Sequence, residues 1–172
     1  ALVAGIIAAG HVGKLPPALP MLRAELGLDL VAASWGASVF SITGMVAAVL
    51  LGATADRIGH WRLSILGLAL LIAGGVGGSL AGGALPLLVS RFVEGIGFLA
   101  VVVAAPSLIA HATYGRDRQM ALGFWAGYLP LGVTIMILVA PAMIEWAEWQ
   151  GLWLLVAGLA GVWLVVMAAA AR

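Results

Sequence analysis

The chain has 172 residues, 64% of them apolar and 9% charged, with a net charge of +1 and a mean hydropathy of +1.18. A soluble domain is nearer half apolar and a quarter charged, so this composition excludes one and points to an integral membrane protein. The lack of cysteine excludes disulfides, thiol catalysis and thiolate metal sites, and the lack of Asn excludes N-linked glycosylation and the paired Asn-Pro-Ala loops of water channels.

Six apolar segments follow one another, at about 1–22, 31–54, 62–84, 86–110, 120–143 and 151–171. Each supplies the roughly 20 residues that cross about 30 Å of hydrocarbon at a rise of 1.5 Å per residue. None alternates over ten residues as a barrel strand does. The pattern predicts an all-α polytopic membrane protein with six transmembrane helices, folded as one bundle over 1–172. Because Ala1 lies inside an apolar run and Arg172 just follows one, the ends are expected to be cuts in a longer chain.

The first segment carries His11 and Lys14, then Pro16, Pro17 and Pro20. In the second, Gly36, Gly44 and Gly52 lie along one i+4 ridge, of the kind that lets helices approach closely. The polar cluster Gly52-Ala-Thr-Ala-Asp56-Arg57-Ile-Gly59-His-Trp-Arg62 follows. It sits between uncharged runs, Val31 to Ala55 before it and Leu63 to Ser90 after it, and is expected to be a tight connection at a membrane surface. The fourth segment contains Arg91 and Glu94. The fifth contains Gly127, Pro130 and Gly132, where a kink is expected at Pro130.

Arg57, Arg62, Arg116, Arg118 and Arg172 fall on one side of the membrane, against Arg23 alone on the other. The positive-inside rule therefore places both chain ends in the cytoplasm, and the expected location is a bacterial inner membrane. A faint internal repeat recurs at an offset of about 89 residues, pairing Pro17 with Pro106, Trp35 with Trp125, Asp56 with Glu145 and Trp61 with Trp149. Three helices followed by three of opposite orientation form a 3+3 inverted repeat.

Ionisable groups inside the slab occur only on the leading helices of the two repeats. A Lys or Arg near a helix centre costs about 2.5–3.5 kcal/mol, so it faces a cavity or a partner. Lys14 lies roughly 12 Å from the outer end of its helix, and Arg91 and Glu94 roughly 8–13 Å from theirs, with His11 a turn deeper. Arg91 and Glu94, at i and i+3, are expected to pair with each other or with first-helix carbonyls near the prolines. Lys14 has no acid on its own helix, so a cavity role is expected for it. The surplus positive charge would attract an anionic solute, or Glu94 would exchange a proton.

The pattern G-x-x-x-D-R-x-G-x-x-R over 52–62 resembles the signature loop between helices two and three of the major facilitator superfamily of transporters. Arg91-Phe-Val-Glu94-Gly95-Ile-Gly97 is similar to the family's fourth-helix pattern, R-x-x-Q/E-G-x-G. The resemblance covers the whole chain and corresponds to the N-terminal half of a twelve-helix architecture. It implies secondary active transport of a small solute by alternating access, with no enzymatic activity and no cofactor. The partner would be a C-terminal six-helix half or a second copy, in a lipid bilayer, with a possible coupling proton or ion and no nucleic acid. It also implies that Asp56, with Arg57 and Arg62, latches the cytoplasmic side against the opposite bundle, where a helix N-terminus would favour a carboxylate.

Gly13-Lys14-Leu-Pro-Pro-Ala-Leu-Pro20 and Trp125…Pro130-Leu-Gly132 look similar to the cyanate-permease-like branch, which suggests an organic or inorganic anion. Ala140-Pro141 departs from the fifth-helix motif of drug/proton antiporters, which makes drug efflux the weaker reading. A six-helix channel or structural protein acting as a homo-oligomer is the alternative. An intramembrane protease is excluded, because Ser79 lies near the outer surface and His60 and His111 near the inner one.

Overall fold

The computed structural model describes residues 1–170, apart from the side chains of residues 41 and 44–46. Arg172, counted above for orientation, and the surroundings of Gly44 lie outside the described residues. The elements are α1 (Leu2–Gly13), α2 (Leu15–Leu26), α3 (Leu30–Ile58), α4 (His60–Ser79), α5 (Ala84–Ala112), α6 (Gly115–Ala126) and α7 (Tyr128–Ala170), with no strand among the described residues.

These elements make six membrane crossings. Lys14 keeps helical dihedrals (φ −72°, ψ −26°), so α1 and α2 form one rod. Its hydrogen-bond ladder lapses because Pro16 and Pro17 bring no N–H to bond the carbonyls four residues earlier. Gly127 (φ −84°, ψ −3°) joins α6 to α7 in the same way, ahead of Pro130. A straight helix of the 43 residues of α7 would be about 64 Å long, twice the hydrocarbon thickness. Instead α7 turns back on itself at Ala147 (φ −136°, ψ 17°) and Glu148 (φ 57°, ψ −176°). The fifth crossing is therefore α6 with the first part of α7, and the sixth is the remainder.

Boundaries follow from local chemistry. Gly27 ends the first rod in the left-handed region (φ 62°), and Asp29 caps α3 by accepting from the Ala32 N–H at 2.6 Å. A single residue, Gly59, joins α3 to α4; its φ of 87° is costly for any residue with a Cβ. The fifth crossing begins at Gly115, ahead of its apolar run, because Asp117 suits a helix's first turn.

Packing is the reverse of a soluble protein's. The interior is rich in small residues, including Ala4, Ala8, Ala9, Ala100, Ala104, Ala140 and Ala160, while Leu30, Val49, Leu80, Leu138 and Val165 point outward. In a bilayer, close backbone contact rather than apolar burial holds helices together. The α4–α5 crossing shows this. A Cβ on Gly67 would come within 2.8 Å of the Gly97 carbonyl oxygen, and one on Gly97 within 2.7 Å of that of Gly67. On the other side of the bundle Gly132 abuts the Ile6 carbonyl and Gly13 abuts Val133, so α1 and the start of α7 also touch backbone to backbone.

At the end of the bundle that carries Glu25, Trp149 is buried (1% exposed) and donates from Nε1 to Glu25 Oε2 at 2.6 Å, tying the first rod to the sixth crossing. The Trp153 ring meets it edge-on at 5.5 Å. Trp149→Phe keeps the packing but removes a bond to a charged acceptor, and is expected to cost about 1.5–3 kcal/mol in reversible unfolding of the purified protein. An unchanged midpoint would show that water replaces the bond.

Candidate functional site

His11, Lys14, Arg91 and Glu94 come together at the centre of the bundle, and none is more than 1% exposed. Glu94 is the hub. Its Oε1 accepts from Lys14 Nζ and lies 3.0 Å from His11 Nδ1, and its Oε2 accepts from Arg91 Nη1. The proton placement that satisfies the carboxylate puts a hydrogen on His11 Nδ1. Lys14 Nζ also lies 3.3 Å from that nitrogen. Arg91 Nη1 donates further to the His11 carbonyl oxygen at 2.8 Å.

The arrangement answers the expected alternatives for Arg91 with both at once. It pairs with Glu94 and also reaches a first-helix carbonyl, that of His11, adjacent to the two freed by Pro16 and Pro17. Lys14 differs from expectation. Lacking an acid on its own helix, it takes one from α5 and is enclosed, so it lines no opening in this bundle. His11 is not a turn away from the others, since its ring reaches the same carboxylate oxygen.

The charges are boxed by aromatic faces and glycines. Lys14 Nζ lies 4.5 Å from the Trp153 ring centroid and Arg91 Cζ 4.7 Å from that of Phe40. Such contacts stabilise desolvated cations by about 2 kcal/mol. Gly74 leaves room for Glu94, whose Cγ would lie 2.6 Å from a Cβ there, and Gly75 faces His11 Cε1. The cluster therefore touches five of the six crossings. Two cations against one carboxylate leave a surplus of one positive charge while His11 is neutral. His11 Nε2, Arg91 Nε and Trp153 Nε1 are buried with no hydrogen-bond partner among the described residues.

The 52–62 segment lies elsewhere, at the α3–α4 end. Asp56, Arg57, Gly59 and Arg62 are all exposed, and among the described residues the three charged ones form no ion pair. A Cβ on Gly52 would meet nothing within 4 Å. The segment thus presents charge and an uncovered helix surface at Gly52, whereas Gly36 on the same ridge is buried against Leu15. Gly127, Pro130 and Gly132 mark the interrupted fifth crossing, with Gly132 pressed on α1.

A family model of the Major Facilitator Superfamily matches residues 1–172. The chain belongs to this superfamily. It is 28% identical over 151 residues to the uncharacterised MFS-type transporter Rv1877 of Mycobacterium tuberculosis, a match covering 87% of this chain and 22% of that protein. It is 26% identical over 108 residues to the Quinolone resistance protein NorB of Staphylococcus aureus, covering 63% of this chain and 23% of the other. Its fold superposes on the proton:xylose symporter XylE with a TM-score of 0.86 at 15% identity, over 98% of this chain and 42% of that one. The matched part spans less than a quarter of either curated relative. The six crossings are thus half of a major facilitator transporter fold, an integral membrane architecture for solute transport and not for catalysis.

Proposed function

We propose that this bundle is the N-terminal half of a secondary transporter that moves a small organic or inorganic anion by alternating access. The observation that carries the anion is the enclosed Lys14–Arg91–Glu94 cluster. Its surplus charge sits in a medium of low polarity, where a positive field reaches neighbouring surfaces with little screening. An anion at the surface of the bundle would be drawn by that field without touching either cation. Glu94 is the one carboxylate of the cluster, and it would exchange a coupling proton only in a state in which Lys14 or Arg91 has moved away from it. The companion bundle is a C-terminal half or a second copy, and both chain ends of this bundle lie on the cytoplasmic side.

Drug efflux is the second reading, favoured by the name of the staphylococcal relative. Reconstituted full-length protein separates the two. Uptake of an anionic solute with saturable counterflow supports the first, and flux confined to uncharged or cationic drugs sinks it. Flux that never saturates and shows no counterflow would instead indicate a channel.

The exposed Asp56–Arg62 segment is the latch in this reading. Its charged groups form no ion pair among the described residues, and the uncovered Gly52 gives a second helix close access. Asp56→Asn is expected to slow counterflow roughly tenfold, the loss of one charge-assisted contact, while leaving equilibrium binding within about twofold. A normal rate at normal expression removes the latch role.

A further inference from the structure

Four aromatic rings form a row across the bundle: Phe40 on α3, Phe98 on α5, Tyr128 at the start of α7 and Trp125 on α6. Successive centroids lie 5.3, 6.4 and 4.2 Å apart, with interplanar angles of 55°, 38° and 14°. The end members are committed. Phe40 is 6% exposed with Arg91 over its face, and Trp125 is 8% exposed, stacked on Tyr128 and pressed against Gly5. The middle two are partly exposed. Phe98 packs against the core around Ala8, Leu71 and Val101, and Tyr128 against that around Ala105 and Trp125, and each keeps part of its ring accessible.

We infer that Phe98 and Tyr128 form a stacking subsite for a planar aromatic ring on the transported solute. Phe98 lies roughly 21 Å along α5 and Tyr128 roughly 20 Å along the fifth crossing, so both sit near mid-depth. The Phe98–Tyr128 step is the widest of the row. A third ring placed against it makes offset or edge contacts with both π faces, within the range of centroid separations at which aromatic pairs attract. The Tyr128 hydroxyl has no hydrogen bond among the described residues. In an apolar slab such a group needs a partner, which a polar ring substituent supplies. An aliphatic surface would have been served by the residues exposed nearby on the same crossing, Leu131, Ile135 and Leu138.

The inference rests on the transport reading only in taking this face as the one that meets solute. Its test is equilibrium binding to purified full-length transporter of 2-naphthoate against decahydro-2-naphthoate, the same carboxylate on a planar and a puckered ring. The planar acid is expected to bind about tenfold more tightly. That ratio is expected to fall towards one in Phe98→Leu and Tyr128→Leu and to persist in Phe98→Tyr, which retains a ring. Equal binding of the two acids by the unmodified protein overturns the inference, and that arm needs no variant to fold. So does a ratio that survives both leucine substitutions, or binding of neither acid, as when a companion bundle covers the two rings.

The neutral pair 2-naphthylmethanol and decahydro-2-naphthylmethanol separates the two readings. Discrimination by ring shape with no gain from the carboxylate supports the subsite and removes the anion. Ring discrimination in a protein that shows no counterflow removes the transport reading and leaves the subsite standing.

Discussion

Glu94→Ala is expected to destabilise the bundle by about 3–5 kcal/mol. The carboxylate is the common acceptor for Lys14, Arg91 and His11, and all four groups are enclosed. Removing it leaves two desolvated cations facing one another with no anion, in a medium where neither is hydrated. The compensated triple replacement Lys14→Met, Arg91→Met and Glu94→Leu is expected to recover most of that loss, because a buried ion triad and an apolar set of similar volume are close in stability. Reversible unfolding of the purified full-length protein measures both. A single variant that loses less than about 1 kcal/mol would mean that water reaches the cluster. The triple variant also separates role from scaffold. If it folds and transports normally, the charges only hold the bundle together; if it folds and does not transport, they act on solute or proton.

The crossings were legible because membrane solvation is a coarse filter. Charge-free runs such as 31–55 and 63–90 have few other places to be. The cluster was legible in halves. His11 with Lys14 and Arg91 with Glu94 stand at i and i+3, so each pair had to share a face, and their depths agreed. What sequence could not give was the meeting of the halves. The rotation of each helix is set by which glycines let which backbones touch, and Gly74 facing Glu94 is a property of the α4–α5 crossing and not of either strip of sequence.

Proline effects were legible in kind but displaced in position. Pro130 was expected to mark the kink, yet the ladder lapses at Gly127. The missing N–H and the ring both act on the carbonyl four residues earlier, that of Ala126. The lapse at Lys14 ahead of Pro16 and Pro17 has the same origin. The aromatic row escaped altogether, since positions 40, 98, 125 and 128 show no period and lie on four different elements.

Gly97→Ala and Gly52→Ala are expected to behave as opposites, although each adds one methyl to a helix interior. At Gly97 the new Cβ would lie 2.7 Å from the Gly67 carbonyl oxygen and 2.9 Å from the Leu71 nitrogen. Both are backbone atoms that no side-chain rotation can move aside. The α4 and α5 helices must separate, which also loosens the Gly74–Glu94 contact beyond them. A loss of about 1–3 kcal/mol is expected, seen as a lower unfolding midpoint with transport falling in proportion to folded protein. At Gly52 the Cβ meets nothing within 4 Å in this bundle, so helix propensity alone acts and stability is expected to rise by up to about 1 kcal/mol. If a companion bundle uses that ridge, the same methyl holds the two bundles apart, and counterflow falls in a protein more stable than its parent. Loss of transport with gain of stability cannot come from misfolding. Gly52→Ala with undiminished counterflow would show that the α3 ridge meets lipid and that the rocking surface lies elsewhere.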